Sequence, residues 1–146
     1  MSEEYGVTWA FEGRQLGVKS ALALLRAVGF VGKDDLVTGV SVMTAESQRW
    51  TAAWHYNHTD IQGHDIFSVA STDHGLMQLS RDGQEKDVEL FVPKTNAKLA
   101  RKLYLARGWQ PWAAYNSGAY LQFVPEVEKK YDRGTWRLMV PRWKAA

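Results

Sequence analysis

Along the chain, apolar positions recur at helical spacing in three places and lose that period between them. Val18, Ala21, Leu22, Leu25 and Val28 fall on one face, which predicts a first helix from about Arg14 to Val28, with Gly29 near its end. Gly32-Lys33-Asp34-Asp35 reads as a loop whose aspartate supplies the N-cap of a second helix, continuing to about Arg49 with Leu36, Val40 and Met43 on its buried face. Pro93, followed by Thr95 and Asn96, opens a third, with Leu99, Leu103 and Ala106 as its apolar positions and Gly108 closing it. Trp112 to Phe123 reads as helical despite Gly118. The tail from Pro125 to Ala146 mixes a charged helical piece, Glu126 to Lys130, with Trp136, Leu138, Val140 and Trp143.

The segments between these helices are polar and irregular. Residues 1–13 carry no clear period and fit an extended arm. Residues 50–66, with Asn57, Asp60, Gly63 and Asp65, read as a loop, and Ile66-Phe67-Ser68-Val69-Ala70 as a short strand. Ser71 to Gly75 reads as a turn, Leu76-Met77-Gln78-Leu79 resumes apolar character, and Arg81 to Asp87 reads as a surface loop. There is no internal repeat, low-complexity tract or linker. The 146 residues suit a single domain, with the tail 125–146 packing on it.

Composition narrows the function classes. The formal charge of +2 is too small to imply nucleic acid, and no apolar run is long enough to span a membrane. Without cysteines the fold needs no disulfides, and thiol nucleophiles are excluded. Seven Trp and six Tyr are rings whose default role is packing, but in that number they often line clefts that hold sugars or other flat-faced ligands. His55-x-x-His58 has the spacing of two metal ligands, with His64, His74, Asp60 and Asp65 in reach along the chain. There is no second tight pair and no helical zinc signature, so no metal or cofactor is expected. No phosphate-binding or dinucleotide fingerprint is present.

Glu46, at the end of the second helical pattern, is the unusual residue. It falls close to the apolar face, beside small residues and just before Trp50 and Trp54. It is either a solvated helix-end carboxylate or a carboxyl in apolar surroundings, whose raised pKa suits a general acid near neutral pH.

Four short pieces then follow in order: Ala45-Glu46-Ser47, Ser71-Thr72-Asp73-His74-Gly75-Leu76-Met77-Gln78, Asn96, and Trp112-Ala113-Ala114-Tyr115-Asn116-Ser117-Gly118. This order, over roughly residues 18–123, resembles the lysozyme-like superfamily and most closely its soluble lytic transglycosylase-type domains. Gln48 stands where that family usually has Gly, and Gln78-Leu79-Ser80 replaces its common Gln-Ile-Asn. The resemblance implies a mainly α, α+β fold: a helical core and a small β-hairpin or loop lobe, between residues 60 and 92, forming one wall of a cleft. It implies cleavage of the β-1,4 bond between N-acetylmuramic acid and N-acetylglucosamine in peptidoglycan, by hydrolysis or by lytic transglycosylation, or else a non-catalytic glycan binder. Glu46 would be the catalytic acid and Ser47 its support. Met77 and Gln78 would shape the sugar cleft, Tyr115 would lie near Glu46 and contact substrate, and Asn116 and Ser117 would hold the helix junction.

Ser-Thr-Asp-x-Gly followed by an apolar pair and Gln is also similar to animal-type lysozymes, where the Asp is the second carboxylate. Asp73 is therefore the second catalytic candidate, with Glu46 beside Trp50 in an apolar setting and Asp73 in a polar turn. The acidic start, Met-Ser-Glu-Glu-Tyr, lacks the pattern of a secretory signal. That fits a phage-encoded protein acting on the bacterial wall, either an endolysin released through a holin or a virion-associated lysin, and equally a domain excised from a larger chain; a monomer is expected. The basic residues Lys98, Arg101, Lys102 and Arg107 of the third helix, and Arg133, Arg137, Arg142 and Lys144 of the tail, are a solvated face or an attraction to an anionic wall.

Overall fold

The second apolar pattern becomes the helix around which the molecule is built. In the computed structural model, which describes residues 8–59, 62–66 and 68–139, helix α1 (Val18–Ala27) packs on α2 (Lys33–Ser47). Nine of the fifteen residues of α2 are buried, so the helix is enclosed on more than one face. Three of the nine are hydroxyl residues: Ser41 bonds back along the helix to the Val37 carbonyl at 2.7 Å and Thr44 to Val40 at 2.8 Å, while Ser47, 3.1 Å from the Met43 carbonyl, donates its proton to the nearer Leu76 carbonyl at 2.8 Å. Those bonds remove the penalty that unpaired buried hydroxyls would carry.

Gly32 (φ 86°), not an aspartate, caps α2, and Asp34 and Asp35 lie in its first turn, where their charge complements the helix dipole. Asp35 is engaged elsewhere, accepting a 2.6 Å hydrogen bond from the Tyr104 hydroxyl. At the other end α2 stops at Ser47, because Gln48 and Arg49 both adopt left-handed backbone, φ 50° and 66°. Arg49 secures the bend, with Nε on the Leu16 carbonyl at 2.9 Å and Nη1 on Thr44 at 2.7 Å. The first helix likewise starts later than the periodicity suggests, because Gln15 bridges to Trp50 and Leu16 donates to the Arg49 carbonyl.

The polar middle of the chain is a four-stranded antiparallel sheet in the order β1 (Trp9–Ala10), β2 (Trp54–Asn57), β3 (Ser71–His74), β4 (Leu79–Asp82). This corrects three expectations. The loop 50–66 contains β2, the predicted turn at Ser71 is β3, and the strand lies just after Ile66–Ala70 rather than on it; Phe67 is outside the described residues. The part of the expected arm that is described joins the sheet as its edge strand; residues 1–7 lie outside the described residues. A sheet lobe extends along residues 54–82, beginning before the 60–92 interval expected for it.

A 3₁₀ turn (Val88–Phe91) leads into α3 (Pro93–Arg107), closed by Gly108 as expected. Its orientation was not foreseen: the fully buried positions are Asn96, Ala97 and Ala100, whereas Leu103 is exposed and Leu99 only partly covered. The predicted helix 112–123 is broken into α4 (Ala113–Asn116) and a 3₁₀ turn (Ala119–Phe123), with Gly118 left-handed between them. The tail forms α5 (Val124–Arg133) and a last 3₁₀ turn (Thr135–Leu138) that buries Trp136 against α1; Val140, Arg142, Trp143 and Lys144 lie outside the described residues. Among the described residues, no helix is long and apolar enough to cross a membrane.

Sheet and helices meet at one buried amide. Asn96 Nδ2 donates to the carbonyls of His74 and Leu90, both at 2.9 Å, while its Oδ1 accepts from the Met77 N–H at 3.0 Å. Replacing Asn96 by Leu leaves three buried backbone groups unpaired, each costing about 1–3 kcal/mol. Asn96→Leu is therefore expected to destabilise the fold by at least about 3 kcal/mol, read as a lowered urea midpoint with unchanged slope.

Candidate active site

Because facing residues of adjacent strands share one side of a sheet, the register sets up a row of side chains. Trp9 faces His55, His55 faces Asp73 and Asp73 faces Ser80. This row crosses the floor of a cleft. On one side of Asp73 is an aromatic arm of about 460 Å³ that includes Trp9, Phe11, Trp54, His55 and Asn57. On the other is an arm of about 670 Å³ between β4 and α3, including Ser80, Leu99, Leu103 and Trp112. Glu46, Asp73 and Gln78 line both arms and mark where they join.

Glu46 arrives from the last turn of α2 and is partly buried. Its Oε2 accepts a hydrogen bond from the Ala114 N–H at 3.2 Å, fixing the carboxyl against α4. Burial pushes its pKa above the ordinary value, and the Asp73 carboxylate adds to the rise. The Ala114 N–H and His55 oppose it without cancelling it. Trp50, the apolar neighbour foreseen for Glu46, lines neither arm of the cleft. Trp112 and Ala113 line the cleft beside Glu46 instead.

Asp73 projects from β3, so its position is set by the ladder rather than by a turn. His55 Nδ1 lies 3.0 Å from Asn57 Oδ1 and 3.8 Å from Asp73 Oδ2; the first is a hydrogen bond and the second an electrostatic contact. The Asp73 carboxylate is the main reason the His55 pKa is raised, and partial burial opposes it. His55 therefore takes up a proton more readily than a free imidazole, beside the two acids.

The remaining predicted residues act mainly through the backbone. Ser47 Oγ donates to the Leu76 carbonyl at 2.8 Å, tying the end of α2 to the segment after β3. Met77 does not shape the cleft with its side chain, which is fully buried in the core; its N–H is held by Asn96 and its carbonyl accepts from Trp112 Nε1 at 2.8 Å. Gln78, left-handed at φ 50°, does line the cleft, and its Nε2 donates to the carbonyls of Ala53 and Gly75 at 3.1 and 2.9 Å. Tyr115 follows the residue that bonds Glu46, but its ring stacks on Tyr120 with centroids 5.1 Å apart and lines neither arm. Asn116 Nδ2 donates to the Gln110 carbonyl at 2.8 Å and so staples the turn before α4, and Ser117 accepts from the Ala119 N–H at 3.2 Å.

His55, Trp9 and Phe11 are site residues that were not singled out in these roles. The alternation in Trp54-His55-Tyr56-Asn57, and in Trp9-Ala10-Phe11, is the period-two signal that carries them. The other histidines are dispersed. His74 is in the core, with Nδ1 at 3.1 Å from the Leu79 carbonyl and Nε2 accepting from the Asp87 N–H at 3.0 Å. Among the described residues, no three His, Asp or Glu side chains gather into a metal-sized cluster. Compared with known proteins, the sequence matches no family model and no curated protein.

The raised pKa of Glu46 has a consequence for stability. Relative to the unfolded chain, its contribution is fully present below about pH 4.5, the ordinary value, and is lost as pH rises through the higher folded value. Glu46→Gln, which cannot ionise, is expected to melt higher than the parent at pH 8, with the gap closing at pH 4. A gap independent of pH in calorimetric melts would mean that ionisation of Glu46 is not what burial penalises.

Proposed function

We propose that this chain is a lysozyme-like peptidoglycan glycosidase that cleaves the β-1,4 bond between N-acetylmuramic acid and N-acetylglucosamine. The observation that carries the proposal is the pairing, at the junction of two cleft arms, of a carboxyl favoured in its protonated form with a second carboxylate on the sheet. A polymer needs a cleft open on both sides of the bond to be cut, and glycoside hydrolysis needs two carboxyl groups in unlike settings. The enclosed helix α2, the small antiparallel sheet and the cleft between sheet and helices also suit the lysozyme-like architecture implied by the sequence motifs.

In the proposed reaction Glu46 gives its proton to the glycosidic oxygen as the C–O bond breaks. The sugar left behind develops oxocarbenium character, which Asp73 stabilises electrostatically or by bonding to the anomeric carbon. Water then attacks, its proton passing to the Glu46 carboxylate, which restores the starting state. Trp9, Phe11 and Trp54 supply apolar ring faces to the sugars in the aromatic arm. His55, close to Asp73, opposes the rise in the Glu46 pKa through its field.

Mass spectrometry of muropeptides from digested peptidoglycan tests this. Reducing-end muramic acid is the expected product, and Glu46→Gln is expected to lose about 10²–10⁴-fold in turnover while retaining glycan binding. Anhydro-muramic ends would instead indicate lytic transglycosylation and remove Asp73 from the chemistry. Unchanged turnover in Glu46→Gln would refute the assignment of the acid.

The pH profile gives an independent check. The basic limb of kcat/KM should report loss of the Glu46 proton. Because the His55 charge lowers the Glu46 pKa, His55→Gln is expected to move that limb to higher pH. A limb that stays in place would show that His55 does not act on the acid.

A further inference from the structure

The two arms of the cleft differ in chemistry. The aromatic arm offers ring faces and the Asn57 amide, which suit uncharged sugar rings. The larger arm is built otherwise. Leu99, Leu103, Ala106 and Pro111 give it an aliphatic lining, and Lys102 and Arg107 of α3 line it as well. Both cations are exposed, and neither has an ion-pair partner among the described residues. Arg81, which also borders this arm, is already engaged, with Nε 3.5 Å from Asp87.

A bare sugar presents hydroxyl groups that need donors and acceptors. Besides the central residues Glu46, Asp73 and Gln78, the one short polar side chain lining this arm is Ser80. A ligand portion with small alkyl groups and carboxylates would cover the aliphatic surface and neutralise both cations. On a peptidoglycan strand, that description fits the short, alanine-containing acidic peptide attached to the muramic acid unit.

We propose that the arm between β4 and α3 is a subsite for this acidic stem peptide, with Lys102 and Arg107 as the specificity-determining residues, an assignment that rests on the glycosidase reading above. The substrate is then oriented in the cleft: its peptide-bearing unit lies toward α3 and its unsubstituted sugars toward Trp9 and Phe11. Peptide-bearing strands are selected over peptide-free glycan. The contribution is partly ionic and falls as salt rises.

Two measurements test the subsite separately from the reaction. In the first, kcat/KM is compared on glycan strands carrying their peptides and on the same strands stripped of peptides by an amidase. The parent is expected to prefer the peptide-bearing strands by at least about tenfold, mainly through KM. Lys102→Gln combined with Arg107→Gln is expected to reduce that ratio to near one; a ratio unaffected by the double substitution would overturn the proposal. In the second, calorimetry follows binding of a synthetic Ala-Glu-containing acidic tetrapeptide to the Glu46→Gln protein with and without the double substitution. Binding weakened about tenfold by the substitution and by 0.5 M NaCl supports the subsite, and equal binding refutes it. Both side chains are exposed, so thermal melts of the double variant should match the parent. Cleavage without peptide preference would remove the subsite and leave the glycosidase standing. Peptide binding that depends on Lys102 and Arg107, with no glycan cleaved by the parent, would remove the glycosidase and leave the subsite.

Discussion

The structure depends on pairing the backbone groups of a four-residue segment, Gly75 to Gln78, most of which passes through the interior. The segment leaves the sheet, crosses between α2, α3 and α4, and returns as β4, with Gly75, Leu76 and Met77 buried. The Gly75 N–H donates to Ala53, the Leu76 carbonyl accepts from Ser47, and the Met77 N–H and carbonyl are taken by Asn96 and Trp112. The Gln78 N–H closes on Gly75. Buried peptide groups without such partners would cost more than most single side chains contribute. Gly75 is required here, since its φ is +73° and a Cβ would overlap the Leu90 carbonyl and the Asn96 amide. The same bonds fix both acids. Ser47 is next to Glu46 in α2, Trp112 is two residues before the Ala114 N–H that holds Glu46, and His74 follows Asp73.

This clamp explains how a destabilising carboxyl is retained. Burial disfavours the charged form of Glu46, so at neutral pH the fold bears a cost at the residue that the proposed chemistry needs. The left-handed Gln48 and Arg49 directly after α2 are a second local cost, since neither is glycine. Both are held by long-range bonds: Gln15 to the Gln48 carbonyl at 3.0 Å, Leu16 to the Arg49 carbonyl at 2.8 Å, and the Arg49 side chain back to Leu16. Strain of this kind persists where surrounding structure over-determines it, and here that structure comes from the chain before α1 and the bend after α2.

The helices were legible because burial imposes a period on them, and their ends were legible where glycine or proline set them, as at Pro93 and Gly108. The sheet was not. Its central strand reads Ser-Thr-Asp-His, with no apolar alternation, because Thr72 and His74 are buried as hydrogen-bonded polar residues rather than as hydrophobes. Glu46 and Asp73 were recognisable as candidates from the order of short motifs. Which motif residues face the cleft was not, because that depends on long-range packing. Met77 and Ser47 matter through bonds to groups far along the chain, and the apolar stripe of α3, Leu99, Leu103 and Ala106, lines the cleft.

The way α3 is attached leaves that stripe at the cleft. Helix α3 is attached by its small and polar positions: Ala97 and Ala100 allow close approach, Asn96 binds three backbone groups, and Tyr104 reaches Asp35 while packing on Phe30 and Trp109. Of its leucines, Leu99 packs only partly against the core, and Leu103 and Leu105 are left exposed. Leu99, Leu103 and Ala106 recur at intervals of three and four residues and line the cleft together, with Lys102 and Arg107 bordering the stripe on either side. A helix anchored by alanines and an amide can leave its leucines partly in water only at some cost in burial. Covering that wall with an aliphatic, acidic substituent would recover part of the cost on binding, at the place where the two cations can be paired.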